Sequence, residues 1–173
     1  MDSHRVWGLV CCVFLLSGLL GFADPAMTIS SPAFAAGKPM PSKYADKADN
    51  LSPELRIGNV PENAHSLVLI VDDPDAQSGL WTHWLVWNLP ASTAALSEGE
   101  LPPDAVEGRN SFGNVRYDGP APPSGTHRYF FHLYALNTKL SLPAGSDRDA
   151  LEKSMIGHIV GVAEYFGTYS ASK

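Results

Sequence analysis

The sequence predicts a mainly β domain with few helices, and three observations carry that expectation. Four runs rich in aromatic and β-branched residues, Thr28–Ser31, Ser66–Val71, Thr82–Leu89 and His127–Asn137, are each bounded by Pro, Gly, Asp or Asn. The chain holds 14 prolines, all of them beyond Ala23 and most of them between apolar runs, which is the punctuation of a strand-rich domain. One stretch near the C-terminal end carries apolar residues at helical spacing.

With 173 residues and 45 % hydrophobic content, the chain suits one domain that buries about two-thirds of its unfolded surface. Met1–Ala23 stands apart. An early basic residue, Arg5, precedes the apolar run "VWGLVCCVFLLSGLLGFA", the pattern of a secretory signal peptide. We expect cleavage after Gly21-Phe22-Ala23, leaving residues 24–173 as the domain, exported to a periplasm or secreted. An uncleaved anchor is the rival reading, since about 18 apolar residues just span a bilayer. A second small-residue site, Ala33-Phe34-Ala35, is set aside because "MTISSPAFAAGKPMP" already reads as the opening strand and turn of the fold.

Net charge is −6, and removing the leader takes away one Arg and one Asp, so the domain stays mildly acidic. Nucleic acid and anionic membrane surfaces are poor partners for it, because both call for clustered Lys and Arg. Cys11 and Cys12 both fall in the leader. The remaining chain has no thiol, and its stability must come from its core.

Thr28–Ser31 opens the domain. Ser66–Val71 and Thr82–Leu89 follow as apolar strands around a short polar turn. The fourth run, "HRYFFHLYALN", places Tyr129, Phe131, Leu133 and Ala135 on one face and Arg128, Phe130, His132, Tyr134 and Leu136 on the other. Both faces are largely apolar, so this strand is expected in the middle of the domain, covered on both sides. The helix is expected over Asp147–Tyr165, capped by Ser146, with Asp149 three residues on and Leu151, Met155, Ile159 and Val162 forming its apolar stripe. Gly157 and Gly161 on that stripe suit close packing on the sheet.

The chemistry gathers at the strand ends. In "VDDPDAQSG" a buried strand stops at Asp72-Asp73, and Pro74 forces a turn. Any one of Asp72, Asp73 and Asp75 alone reads as a turn residue. His83 follows between Trp81 and Trp84, where burial disfavours a charged imidazole unless an anion stands close. A third segment, "GRNSFGNVRYDGPAPPSGTHRYFF", runs a stiff Gly/Pro loop into His127-Arg128-Tyr129. Rigid loops at strand ends are where binding groups are commonly held.

Together "DDPDA…HW" and "YDGPAPPSGTHRY" resemble the signature blocks of the phosphatidylethanolamine-binding protein family, in its bacterial Raf-kinase-inhibitor-like branch. "SPAFAAGKPMPSKY", "NLSPELRIGNVPENAHSLVLIVDDPDA" and "MIGHIVGVAEYFGTYS" are also similar to that branch, so the resemblance spans Met27–Ser170. It implies a large central antiparallel sheet, a smaller sheet, a C-terminal helix, and a small anion pocket at the strand ends. Carried onto this chain, the pocket falls on Asp73, His83, Ala121, Pro122 and Tyr129, with His127 as a supporting histidine. Departures are Gln77, where the family's block usually continues with proline, Ala121, and Asp118, which brings a negative charge beside the proposed anion site.

An oxyanion needs fixed donors in a partly dry pocket. His83 and the Tyr129 hydroxyl are the expected donors, while Asp73 would repel a dianion and is expected to orient a histidine or backbone donors, or to hold a headgroup amine or a shared proton. Three functional readings follow. A pocket for phosphate or a phosphorylated headgroup ranks first. An inhibitor or interaction protein that meets a protease or kinase through the loop 109–126 ranks second. A general-base enzyme built on Asp73, His83 and His127 ranks third, since no G-x-S-x-G, H-E-x-x-H or mature cysteine is present. No metal or cofactor is called for, His65, His132 and His158 are read as structural, and pairing into a homodimer is left open.

Overall fold

The computed structural model describes residues 25–171. The leader assigned to Met1–Ala23 lies outside the described residues. In chain order the strands are β1 (Thr28–Ser30), β2 (Leu55–Gly58), β3 (Ser66–Asp73), β4 (Trp81–Pro90), β5 (Ala95–Leu96), β6 (Val106–Glu107), β7 (Thr126–Leu136) and β8 (Ile159–Ser170), with helix α1 (Arg148–Met155) before the last strand. All pairings between these strands are antiparallel. A three-stranded sheet runs β1-β2-β5, and a five-stranded sheet runs β6-β4-β3-β7-β8. The fold is mainly β, as the sequence predicts.

The run "SLVLIVDD" of β3 is buried at every position, which is what a continuous apolar run requires when both faces of its sheet are covered. Leu67, Leu69 and Val71 join Ile29, Leu55 and Ile57 of the small sheet, and Tyr129, Phe131 and Leu133 of β7, in the main core. Val68 and Ile70 face the other way and pack with Leu85, Trp87, Leu136 and Leu140, and with Leu151 and Met155 of α1.

Two expectations are corrected. The strand covered on both sides is β3; β7 is interior to the sheet, but its second face keeps Arg128 exposed and Phe130, His132 and Tyr134 half-buried. The helix is also far shorter than Asp147–Tyr165. Its cap is Asp147, whose side chain accepts from the Ala150 N–H, while the Ser146 hydroxyl donates to the Pro143 carbonyl instead. Gly157, with φ of 79°, then turns the chain out of the helix at a cost only glycine avoids.

From Ile159 onward the chain runs as β8, paired along β7 from Leu136↔Ile159 to Thr126↔Ser170. The helical spacing of Ile159 and Val162 was fortuitous, and its β-branched and aromatic composition decides the segment. Gly161 does pack closely, since a Cβ there would stand 2.8 Å from the Pro61 ring, but it does so within a strand. His158 lies in the turn before β8, hydrogen-bonded to Asn137. No helix among the described residues is long and apolar enough to cross a membrane.

Candidate functional site

The antiparallel order brings the C-terminal end of β3 and the N-terminal ends of β4 and β7 to one end of the large sheet. There Asp73, His83 and His127 line a cavity of about 310 Å³ with Ala121, Trp81 and Phe112. This is near the lower end of small-ligand pockets. A larger open groove of about 770 Å³ lies elsewhere, lined by residues of β8 and the N-terminal segment, with Glu62 as its single ionisable side chain. It offers no facing pair of functional groups.

Alternation along β3 sends its two terminal aspartates to opposite faces. Asp73 points to the cavity, where its Oδ2 accepts from His127 Nδ1 at 2.7 Å and its Oδ1 accepts from the Asp75 N–H at 2.8 Å. Both oxygens are engaged, so Asp73 orients His127. Asp72 is buried on the other face, paired with Arg148 of α1, with His132 Nε2 3.6 Å away. Asp75 lies outside, where the Arg128 guanidinium, hydrogen-bonded to it at 2.8 Å, holds its carboxyl down at about 2. Of the three aspartates, only Asp73 belongs to the cavity.

His83 is placed by a break in register. Val71 pairs with Trp84 and Asp72 with Thr82, so His83 is an extra residue on β4, a bulge that re-aims its side chain. The bulge leaves the His83 carbonyl to the loop. It accepts from the Asp118 N–H at 3.2 Å, and His83 Nδ1 donates to the Asp118 carbonyl at 2.6 Å. These reciprocal bonds fix the ring. The expected donation from His83 therefore goes to the loop, and Nε2 is the ring nitrogen left over. Burial, at 2 % exposure, pushes the imidazole below its ordinary range, only partly offset by the hydrogen bond to Asp118 and the carboxylates of Asp73 and Asp72.

Tyr129 sits beneath this pair, its ring edge-on to His83 at 5.1 Å between centroids. The side chain is 1 % exposed, and among the described residues its hydroxyl makes no hydrogen bond, although the Asp73 carboxylate stands beside it. Burial and the neighbouring Asp73 carboxylate push the phenol strongly up, so it stays protonated. The Ala121 amide also stands near the hydroxyl.

The loop that carries Ala121 is held from within by Asp118, which is 1 % exposed. Its carboxylate accepts from Asn110 at 2.7 Å, Asn114 at 2.8 Å, Arg116 at 2.9 Å and Asn50 at 3.2 Å. The sequence puts the negative charge of Asp118 beside the expected anion site. The structure ties that charge to Arg116 and three amides instead. Burial pushes the Asp118 pKa up, and the bonds from Asn114, Asn110, Asn50 and Arg116 together outweigh it, so the carboxyl lies below its ordinary value.

A depressed carboxyl contributes stability above the unfolded-state value and loses it as pH falls through the folded one. Asp118→Ala is therefore expected to cost about 2–3 kcal/mol at neutral pH, the penalty of leaving buried donors unpaired. The gap from the parent should narrow below about pH 4, where the unfolded carboxyl protonates. Urea unfolding at both pH values measures it.

Of the residues expected to form the site, Asp73, His83, Ala121 and His127 line the cavity, and Tyr129 packs behind them, its ring against His83. Pro122 is half-buried beside it, and the neighbouring Pro123 supplies the lining. Sequence reasoning missed the walls. Phe112 meets Trp81 and His83 edge-on, each at 5.4 Å, and Ala76 and Ser78 line the cavity on either side of Gln77, the rim residue the sequence does single out. A lone large aromatic in the polar stretch "RNSFGN" was the available signal for Phe112. Ser111 is structural: its hydroxyl accepts from the Thr82 N–H at 2.9 Å, pinning the loop to β4. Within 109–126, residues 117–120 are buried, and Phe112 and Val115 are the exposed apolar side chains.

Two antiparallel sheets with a cavity at the strand ends of the larger define a binding fold that comparison identifies. The family model described as phosphatidylethanolamine-binding protein matches residues 30–170. The chain belongs to the phosphatidylethanolamine-binding protein family. It is similar to a UPF0098 protein of Methanothermobacter thermautotrophicus, 44 % identical over 148 residues, covering 83 % of this chain and 98 % of the relative. Among solved structures it resembles a phosphatidylethanolamine-binding protein homologue of Chlamydia trachomatis, with TM-score 0.82 and 42 % identity over 87 % of this chain and all of that one. It also resembles Escherichia coli YbcL, described as a new member of the mammalian family, with TM-score 0.80 and 29 % identity over 86 % of this chain and 100 % of that one.

Proposed function

We propose that this chain is a binding protein whose strand-end cavity takes a small phosphorylated ligand, and that it works by binding and not by catalysis. One observation carries the reading: the buried Tyr129 hydroxyl, which has no hydrogen-bond partner among the described residues, stands beside Asp73 and Ala121, which line the cavity together with two oriented histidines. Leaving such a group unpaired costs about 1–3 kcal/mol. An oxyanion oxygen seated there recovers that loss, which gives the strain a use.

The reading is tested by calorimetric titration with inorganic phosphate. Tyr129→Phe and His83→Ala should each weaken binding by about 1–3 kcal/mol, and the double variant should lose less than the sum, because both groups touch one ligand. Tyr129→Phe should meanwhile leave thermal stability unchanged or raised, since it removes an unpaired hydroxyl. Unaltered phosphate binding in both folded single variants would sink the reading.

A further inference from the structure

We infer that the cavity selects phosphate that still carries a proton, as a phosphomonoester monoanion or dihydrogen phosphate, over oxyanions and phosphodiesters that have no P–OH. This rests on the phosphate reading above and adds the ligand's protonation state to it.

His83 decides the matter. The Asp118 carbonyl has no proton to give, so the 2.6 Å contact requires a proton on His83 Nδ1. In the neutral ring Nε2 is then a bare acceptor, and burial keeps the ring neutral. A ligand that presents only acceptor oxygens to this nitrogen leaves two lone pairs facing each other. A P–OH makes a hydrogen bond instead. The Tyr129 hydroxyl, protonated and unpartnered, offers the complementary donor for an adjacent P–O oxygen. One acceptor and one donor, side by side, match a group that holds both.

Charge points the same way. The ionisable groups that line the cavity are Asp73 from β3, His83 from β4 and His127 from β7, with no Lys or Arg among its lining residues; the Tyr129 hydroxyl of β7 stands beside Asp73. The nearby cations are already paired, Arg128 with Asp75 and Arg116 with Asp118. With the Asp73 carboxylate present and no free cation to offset it, a second negative charge on the ligand is opposed. His127 is held in place through its Nδ1 by Asp73.

The test compares inorganic phosphate, phosphoethanolamine, sulfate and dimethyl phosphate by calorimetric titration of the full chain between pH 6 and pH 8. Apparent affinity for phosphoethanolamine should rise about tenfold or more as pH falls across that range, following a phosphomonoester's second ionisation near pH 6, and affinity for inorganic phosphate should rise in the same direction. Sulfate and dimethyl phosphate should bind at least about tenfold more weakly at neutral pH, the loss expected when a buried acceptor goes unpaired. Sulfate affinity should also stay flat with pH.

If sulfate and phosphate bind equally, or strengthen in parallel as pH falls, a charged His83 is recruiting any oxyanion and the inference fails while the phosphate site survives. If no phosphate binds at any pH, both fail. His83→Gln, which places an amide donor at that position, should shrink the preference for phosphate over sulfate; an unchanged preference in a variant that thermal unfolding shows to be folded overturns the inference. Should that variant not fold, the parent's selectivity and pH profile decide alone. The order of phosphoethanolamine and inorganic phosphate, either of which supports the proposal, tells a headgroup from the free ion.

Discussion

Gly119→Ala is expected to destabilise the protein by roughly 4 kcal/mol or more, at the severe end for a single substitution, and to abolish phosphate binding with it. A Cβ at position 119 would lie 1.8 Å from the Tyr44 carbonyl oxygen and 2.9 Å from its carbon. The obstacle is backbone, so no side-chain rotation relieves it. Neither side can retreat cheaply. The Tyr44 carbonyl accepts from the Tyr117 hydroxyl at 3.2 Å, and the Gly119 N–H donates to Asn50 at 2.8 Å. The neighbouring Asp46 N–H also bonds Pro120 at 3.2 Å. Displacing the loop would pull Asp118 away from His83, so the site should fail with the fold. Urea unfolding and phosphate titration of one preparation test both. A variant within about 1 kcal/mol of the parent, well inside the ordinary range for point substitutions, would show that the loop is not seated against Tyr44.

Phe131→Ala should cost about 3–5 kcal/mol, as other large-to-small core substitutions do. Phe131 is fully buried in the main core, on the strand that lies between β3 and β8, with the Phe34 ring 6.1 Å away. It is remote from any surface that could collapse into the void. The midpoint of urea unfolding should fall without a change of slope, because the surface exposed on unfolding barely alters. Phosphate affinity should persist in the folded fraction. A loss under about 1 kcal/mol would contradict full burial.

The strands that the sequence revealed are those whose own composition decides their state. "SLVLIV", "THWLVWNL" and "HRYFFHLYAL" are long, apolar and bounded by turn residues. β2, β5 and β6 escaped because two to four residues cannot show a period. β8 was misread because Leu151, Met155, Ile159 and Val162 keep helical spacing straight through a glycine whose positive φ appears only in three dimensions.

The site divides in the same way. Asp73, His83, His127 and Tyr129 stand out as residue types at strand ends. Which nitrogen of His83 remains free does not, because that depends on a one-residue bulge and on a carbonyl 35 positions further along the chain. Asp118 is visible as a charge but not as a charge already satisfied, since Asn50 reaches it from a distant segment and Asn110 only through the fold of the loop. The aromatic wall of Trp81 and Phe112 likewise depends on two distant segments meeting.

The reciprocal bonds between His83 and Asp118 have a bearing on how this protein can vary over generations. Both bonds to the loop end on main-chain atoms of residue 118, and every amino acid with a peptide N–H and carbonyl supplies them. A codon change at 118 that spares the loop's shape leaves the proton on His83 Nδ1 where it is. Gln77, Ser78 and Phe112, by contrast, line the cavity from two separate turns, and a change of side chain there alters the lining directly. Heritable drift can thus reshape the entrance, and with it the size and decoration of what enters, while the polarity of the floor is inherited with the backbone.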